Sequence, residues 1–441
     1  MKLSHQDYYK IAIPFIVSTV TQPLLGAVDT AVIGQLGNAA LIAGVAIGTV
    51  LMNTLYWLFG FFRVSTTGQS AMALGQGCRQ AQAASLMRPI QLAALIGLLF
   101  ILLQQPLWHA AMLVLQPEPE VAQEAYRYFS ILIYGAPFVL VNYSLIGWLM
   151  GQAKAKETLY TQVFGNLLNI VLNLLLVFQF EMGIAGVAYA SLIAQVATFV
   201  IGCWLVLHTT DVSPPDFLAC GRLKRQDLVL IISANTDLLL RTVCILIFFN
   251  MMARIGAQLG TEVLAANAIM MQVTFIISYL FDGIANASSV FAGRAVGEKN
   301  PDLLQQVLKM NAQWTAVFVA ILTLFTAAFN DQLVRLFTDL PTLQALYQQH
   351  ALWLVLFPLA AGFGLTLYGV FTGTGTTRPV RNSSMITLMV FLLVQWPAVA
   401  YWGNQGLWLA FTLFYCGRFG FLYPFVGQIK QRCQPAPPAA S

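Results

Sequence analysis

Apolar stretches of about 20 or more residues recur along this chain, and they limit the folds that are open to it. A helix of that length crosses the roughly 30 Å of hydrocarbon in a bilayer. Inside hydrocarbon the chain must satisfy its own backbone hydrogen bonds, which such a run does as an α-helix. Hydrophobic residues make up 58% of the chain and charged residues only 9%, so a large soluble domain is excluded. The sequence therefore predicts an all-α polytopic membrane protein.

Hydropathy predicts twelve transmembrane helices, here called spans 1 to 12. They are placed near residues 10–34, 40–62, 89–115, 126–150, 159–180, 184–207, 228–253, 263–292, 310–329, 351–374, 384–402 and 406–427. If the N-terminus is cytoplasmic, 17 of the 22 lysines and arginines lie on the cytoplasmic side. This bias follows the positive-inside rule and predicts that both termini are cytoplasmic. It also accounts for the net charge of +5, so no nucleic-acid partner is predicted.

The chain repeats itself at a distance of 222 or 223 residues. The matching pairs are Gln35–Ala43 with Gln258–Ala266, Ala73–Gly75 with Ala295–Gly297, and Gly147 and Gly151 with Gly369 and Gly373. An even number of spans in each half makes the repeats parallel, and two such lobes enclose a central cavity. We predict an N-terminal lobe at 1–208, a cytoplasmic linker at 209–226, a C-terminal lobe at 227–428 and a disordered cytoplasmic tail at 429–441.

Span 1 carries three features that are unusual in a plain membrane anchor. Pro14 and Pro23 each remove a helix hydrogen bond and favour a bend. Asp29 places a carboxylate within the membrane, where a charge costs roughly 2.5–3.5 kcal/mol on the insertion scale. We predict that Asp29 is a protonation switch on a bendable helix, which is typical of a transporter. The alternative is a packing carboxylate whose hydrogen bonds are satisfied.

Two further acidic residues lie well inside spans. Asp237 has Arg241 four residues later on the same helix face, which predicts an internal polar pair. Asp282 lies toward the predicted cytoplasmic end of span 8, where a structural or gating role is predicted. Asp29 has no basic residue at helical spacing, so it is the best candidate for a group that takes up and releases a proton.

Span 5 places three amides on one helix face: Asn166, Asn169 and Asn173. Such a face is poorly suited to lipid, and we predict that it lines the cavity. The other residues that could join this hydrogen-bond network are Gln22, Asn142, Tyr143 and Gln195. Interhelical hydrogen bonding, worth about 0.6 kcal/mol for each bond, explains the same residues equally well.

The sequence offers no pattern that supports an enzyme. The four histidines lie at span ends or near the N-terminus, and no metal-ligand spacing or phosphate-binding glycine loop is found. We predict no metal site and no cofactor. Without a nucleotide-binding motif, an ion gradient is the expected energy source.

Several motifs along the chain form a recognisable set: Pro23–Gly37, Leu55–Arg63 with Thr66–Gly68, Asn166–Asn173, Leu264–Ala268, Ser278–Gly283 and Gly293–Gly297. Together they resemble the multidrug and toxic compound extrusion (MATE) family, and in particular its DinF-like branch. The resemblance covers nearly the whole chain. It implies two six-helix lobes and cation-driven efflux of organic, often cationic, compounds. It also implies coupling through the aspartate of the first helix (Asp29), bending near Pro14, and polar partners at Gln22, Asn169 and Asn173.

The chain departs from the family pattern at three positions where an acid is expected: Asn173, Gln195 and Ser289. A hard cation prefers several oxygen ligands that include carboxylates, so these departures favour a single-proton mechanism over a Na⁺ site. The predicted function is proton-coupled multidrug efflux antiport by a monomer in the bacterial inner membrane, with small-molecule drugs and membrane lipids as its partners. The alternatives are Na⁺-coupled drug efflux, a flippase for a lipid-linked precursor and, from another class, a membrane enzyme of lipid metabolism.

Overall fold

The computed structural model describes the backbone of residues 3–34, 39–219 and 225–433. The side chains of residues 21–31, 33–40, 42, 114 and 218–234 lie outside the described part. Before residue 220 the helices are α1 (His5–Gly34), α2 (Ala39–Leu58), α3 (Phe61–Gln76), α4 (Arg79–Leu102), α5 (Gln104–Leu115), α6 (Pro119–Leu132), α7 (Ala136–Gly151), α8 (Ala155–Asn173), α9 (Gly183–Thr209) and α10 (Pro214–Ala219).

The second half of the chain is helical in the same way. Its helices are α11 (Arg225–Leu259), α12 (Thr261–Gly297), α13 (Pro301–Ala328), α14 (Asn330–Phe337), α15 (Pro341–Gly373), α16 (Arg378–Trp402), α17 (Asn404–Gly420) and α18 (Val426–Arg432). Short 3₁₀ helices occupy Ile133–Gly135 and Tyr423–Phe425, and a π-helix occupies Leu174–Gln179. No β-strand occurs in the described ranges.

Eleven helical segments of the described residues are long and apolar enough to cross a membrane, from Ala43–Gln76 to Asn404–Arg432. Each overlaps one of the predicted spans 2 to 12, and α1 covers predicted span 1. Span 3 differs from its predicted range of 89–115. The crossing helix is Arg79–Leu102, and α5 is a separate helix, because Gln104, Gln105 and Pro106 interrupt the apolar run.

The chain packs into two compact units. The N unit is Val20–Asn235, and the C unit combines Met1–Thr19 with Thr236–Ser441. Helix α1 therefore begins in the C unit and ends in the N unit. The lobe boundaries predicted from the sequence stay predictions, since these units are defined by packing and not by the repeat.

Glycines let α7 approach α3 closely within the N unit. A Cβ added to Gly147 would collide with the backbone oxygen of Arg63, and one added to Gly151 would lie 2.5 Å from the backbone oxygen of Thr67. Both partners are backbone atoms, which cannot rotate away as a side chain does. The two helices are therefore held in backbone-to-backbone contact that only glycine permits at these positions.

The C unit repeats this contact between α15 and α12. A Cβ on Gly369 would collide with the backbone oxygen of Ala285, and one on Gly373 with that of Ser289. Ala285 and Ser289 follow Arg63 and Thr67 by 222 residues, the same offset that separates the two glycine pairs. The sequence repeat is thus a structural repeat, since both members of each contact recur at one offset.

Residues 3–19 are held against α12 and α13 of the C unit. The hydroxyl of Tyr8 lies 2.7 Å from Oγ of Ser288, which in turn donates to Asn311 at 2.9 Å. Thr19 donates to the backbone oxygen of Tyr279 at 2.8 Å, close to the predicted bend at Pro14. These contacts fix the start of α1 by buried hydrogen bonds as well as by apolar packing.

Tyr8→Phe is expected to loosen the start of α1. It removes one buried hydrogen bond, worth about 1 kcal/mol, and so should speed amide exchange across residues 3–19 by about fivefold. Tyr9→Phe is the matched control, because the ring of Tyr9 packs on Trp314 at 4.3 Å while its hydroxyl bonds to no described residue. Hydrogen–deuterium exchange measures both variants, and equal exchange in the two would contradict the anchoring role of the Tyr8 hydroxyl.

The predicted linker contains the short helix α10. Asp216 accepts hydrogen bonds from Oγ of Ser213 at 2.6 Å and from its backbone nitrogen at 3.0 Å. These two bonds hold the pKa of Asp216 below its ordinary value. Phe217 is buried and lies edge-on to Trp148, at 6.2 Å between ring centroids, so the linker is packed onto the N unit.

Candidate functional site

The predicted polar network of the N unit connects α7, α8 and α9. Asn142 on α7 is buried and donates to the backbone oxygen of Gln195 on α9 at 3.1 Å. Its own Oδ1, and Oε1 of Gln195, are buried without a hydrogen-bond donor among the described residues. Burying two acceptors without hydrogen bonds costs free energy in an apolar interior. These two oxygens are therefore places where a donor or a protonated group can bind.

The two inner asparagines of α8 are hydrogen-bonded to each other and to α9. Asn169 donates to Oγ of Ser191 at 3.1 Å, and Asn173 donates to Oδ1 of Asn169 at 3.0 Å. Both are buried, with 6% and 0% of their surface exposed. These two amides therefore lie between α8 and α9, and their predicted place in a cavity lining stays a prediction.

Two further predicted network members of the N unit, Asn166 and Tyr143, are less enclosed. Asn166 is half-buried and makes no hydrogen bond with a described residue. Tyr143 is half-buried on α7, next to Asn142. The described hydrogen bonds thus form two separate links to α9, one from Asn142 on α7 and one from Asn169 and Asn173 on α8.

A π-helix begins directly after Asn173 and runs over Leu174–Gln179. Its wider turn shifts every later residue of the span relative to a regular helix, which the amide spacing alone does not predict. Short π segments inside α-helices occur often at functional sites. Here the segment follows the most deeply buried asparagine of the network.

Three predicted residues of span 1 lie outside the described side chains: Gln22, Pro23 and Asp29. Pro14 is described, and it is half-buried within α1. The role of Asp29 and the bending of the helix therefore stay predictions.

The predicted pair of Asp237 with Arg241 is wrong. Asp237 is buried and binds Nη1 of Arg381 on α16 at 2.8 Å, while Thr377 donates to its other oxygen at 2.8 Å. Both carboxylate oxygens are engaged by residues about 140 positions away. The ion pair between helices prevails over the local i, i+4 pair, because Thr377 and Arg381 approach the carboxylate from one neighbouring helix end.

Arg241 is instead stacked on an aromatic ring. Its guanidinium carbon lies 4.0 Å from the centroid of the Tyr368 ring. Arg418 on α17 is buried, lies 5.8 Å from the Tyr415 ring and is close enough to Arg241 for mutual charge repulsion. Asp282, near the middle of the long helix α12, acts electrostatically on Arg418 and Tyr415. Asp282 therefore lies beside this basic cluster, whereas the sequence placed it toward a helix end.

Comparisons with known proteins show which family this chain is related to. The model of the MatE family matches residues 14–175 and again residues 238–396. The chain is 32% identical to DNA damage-inducible protein F of Escherichia coli (strain K12), over 93% of this chain and 89% of that protein.

The chain belongs to the MatE family.

The two MatE matches begin about one repeat length apart, in agreement with the structural repeat described above. A more distant relative is the probable multidrug resistance protein NorM of Thermotoga maritima, which is 23% identical over 92% of this chain and 88% of that protein. A solved crystal structure of MATE in the straight conformation superposes with a TM-score of 0.84 at 19% identity, covering 97% of this chain and 96% of that one. The resemblance to the DinF-like branch and the fold of twelve transmembrane helices are confirmed.

Sequence analysis missed several residues of the C unit in this MatE protein: Tyr368, Arg381, Tyr415 and Arg418. A signal existed only for Arg418, since an arginine in a predicted span is unusual. The described residues contain no group of three or more His, Cys, Asp or Glu that could hold a metal ion. MatE proteins are transporters, and the polar residues of both units are therefore candidates for substrate and ion binding.

Proposed function

We propose that this MatE protein is a proton-coupled multidrug efflux antiporter that exports organic, often cationic, compounds by alternating access. The multidrug description of the Thermotoga maritima relative and the twofold match of the family model support this proposal. Two repeats related by an axis along the membrane normal are a common basis of alternating access.

The proposal rests mainly on the finding that both carboxylate oxygens of Asp237 are already bound by other residues. Both of its oxygens are bound, by Arg381 and Thr377, so protonating this carboxylate would break an ion pair and a hydrogen bond. Asp282 acts electrostatically on Arg418, so a basic group is its neighbour. Of the three acidic residues well inside spans, Asp29 remains as the proposed coupling group, because no basic residue occurs at helical spacing from it.

In the proposed cycle, Asp29 takes a proton from outside, and its neutral form lets α1 bend near Pro14 and release the substrate. Proton release on the inside restores the charge and prepares the site for the next cation. The polar partners would be Gln22, Asn169 and Asn173. The division of α1 supports this role, since the change from C unit to N unit after Thr19 lies between Pro14 and Pro23.

We place the protein in the bacterial inner membrane with both termini cytoplasmic. The Escherichia coli relative and the positive-inside bias of the sequence support this placement. We further propose a monomer as the transporting unit and H⁺ as the coupling ion, with no cofactor.

Asp29→Asn should abolish proton-driven export while leaving the protein folded. The test is ethidium efflux from proteoliposomes under an imposed pH gradient, with a loss of at least tenfold expected. Asp7→Asn is the control, since Asp7 lies in the first turn of the same helix and should keep full transport. Full export by Asp29→Asn would overturn the proposal.

The same vesicles distinguish the alternatives. Transport that needs an imposed Na⁺ gradient would replace H⁺ as the coupling ion and give the span 5 amides a part in a cation site. Absence of export under both gradients, with transfer of a lipid-linked sugar between leaflets, would favour the flippase.

A further inference from the structure

Arg241 and Arg418, both in the C unit, are near enough to act on each other electrostatically, and neither has an acidic hydrogen-bond partner among the described residues. Arg418 is only 7% exposed, and Arg241 is half-buried. Among the described residues neither guanidinium donates a hydrogen bond or forms an ion pair, and Nε of Arg241 is buried without an acceptor. Each guanidinium has five N–H donors, so this cluster holds a large unused donor capacity.

Aromatic rings hold these arginines while leaving their donors available. The guanidinium carbon of Arg241 lies 4.0 Å from the Tyr368 ring centroid, and that of Arg418 lies 5.8 Å from the Tyr415 ring centroid. A ring stacked on the planar face of a guanidinium fixes its orientation, and the N–H groups along the edge remain free. This geometry suits bidentate binding of a carboxylate or phosphate.

The charges of the cluster do not balance within the described part of the chain. There, Asp282 is the acid that acts on Arg418, and one carboxylate against two guanidiniums leaves one positive charge in excess. Asp237 cannot supply the missing charge, because Arg381 and Thr377 occupy it. An unpaired positive charge is costly in the membrane interior, so binding of a negatively charged group at this place would be favourable. Asn286, one turn beyond Asp282 on α12, has a buried Nδ2 that also lacks an acceptor among the described residues.

We propose that Arg241 and Arg418 form an oxyanion site, which binds a carboxylate or phosphate group carried on an apolar or aromatic body. Tyr368 and Tyr415 supply aromatic surface for that body, and Asn286 supplies a neutral donor. The site extends the substrates of the proposed exporter from cations to zwitterions and amphipathic anions. Transport of such compounds rests on the proposed function, whereas their binding does not.

The test compares two dyes that differ in one group, rhodamine B with a free carboxylate and its methyl ester. Fluorescence anisotropy with the purified full-length protein in neutral detergent gives both affinities. Arg241→Gln and Arg418→Gln should each weaken rhodamine B binding at least tenfold and change ester binding less than twofold. Arg254→Gln, an exposed arginine on α11, should change neither. Equal weakening of both dyes, or no weakening of either, would overturn the oxyanion site.

A second variant tests whether weaker binding in Arg241→Gln results from misfolding. Arg241→Lys keeps the charge but lacks the planar fork, so it should stay monodisperse and weaken rhodamine B binding by about threefold. Wild-type affinity in this variant together with wild-type affinity in Arg241→Gln would exclude bidentate binding and overturn the site.

A lipid phosphate offers the same chemistry as a drug carboxylate, and a competition separates the two sources. Phosphatidic acid added to phosphatidylcholine nanodiscs should displace rhodamine B from the wild type if a headgroup is the natural occupant. Dye binding that depends on the arginines and persists against phosphatidic acid indicates a small-molecule carboxylate. The absence of arginine-dependent binding by either would overturn the site. Dye binding is measured without any ion gradient, so failure of the export proposal is distinguishable from failure of this one.

Discussion

Replacing Gly369 with valine should prevent the C unit from folding, and we expect the amount of monodisperse protein to fall at least tenfold. A Cβ at this position collides with the backbone oxygen of Ala285 on α12. Overpacking against side chains costs about 1–3 kcal/mol, and here the obstacle is backbone inside a long helix, so the cost is at the upper end or beyond. That is a large share of the total stability of a folded unit.

Gly420→Val is the matched control, because a Cβ on Gly420 meets no atom within 4 Å. Both substitutions introduce valine at or near the end of a helix in the C unit. A difference in yield between the two variants therefore measures the effect of the contact between Gly369 and α12. Fluorescence-detected size exclusion of tagged protein measures the yield. Gly147→Val should reproduce the defect in the N unit, where Arg63 presents its backbone oxygen. Equal yields for Gly369→Val and Gly420→Val would refute the glycine contact.

Arg381→Ala should destabilise the protein by about 3 kcal/mol, because it leaves the carboxylate of Asp237 buried with only Thr377 as a partner. Breaking a buried ion pair costs about 3–5 kcal/mol, and the partial exposure of Arg381 places the expected loss at the lower end. The double variant Asp237→Asn with Arg381→Ala should recover most of the loss, since no unpaired charge then remains.

The pair Arg294 and Glu298 is the control for this experiment. It is a partly exposed i, i+4 ion pair on α12 and its C-terminal end, with nitrogen and oxygen 2.6 Å apart. Arg294→Ala should cost less than about 1 kcal/mol, as exposed pairs do. Denaturant midpoints in detergent measure all four proteins. If Arg381→Ala and Arg294→Ala cost the same, Asp237 does not depend on its ion pair.

The spans and the repeat were predictable because they depend on local patterns. A run of about 20 apolar residues crosses a bilayer wherever it occurs, so α7, α8 and α9 lie where hydropathy places them. The glycine pairs were recognisable as repeats because close helix contact demands the smallest residue at the same two positions of each half. Their partners on α3 and α12 were not recognisable, since backbone atoms carry no residue preference.

The polar contacts of the C unit were not predictable, because hydropathy does not tell which helices are neighbours. Arg241 is the closest basic residue to Asp237 in sequence, yet Arg381 binds it from 144 positions away. In the N unit, the spacing of Asn169 and Asn173 on one helix face was sufficient to predict that both side chains are buried. The π-helix after Asn173 left no signal in the periodicity of a short apolar run.

The anchoring of α1 has a consequence for how the protein is made. Tyr8 and Ser288 are separated by 280 residues, so Tyr8 leaves the ribosome long before its hydrogen-bond partner exists. At synthesis rates of about 5–20 residues per second, the delay is roughly 15 to 55 s. During that interval residues 3–19 lack the surface that will hold them. A late step of assembly is thus a return to the beginning of the chain, and a nascent chain stalled before α12 would carry a free first segment open to chaperones and proteases.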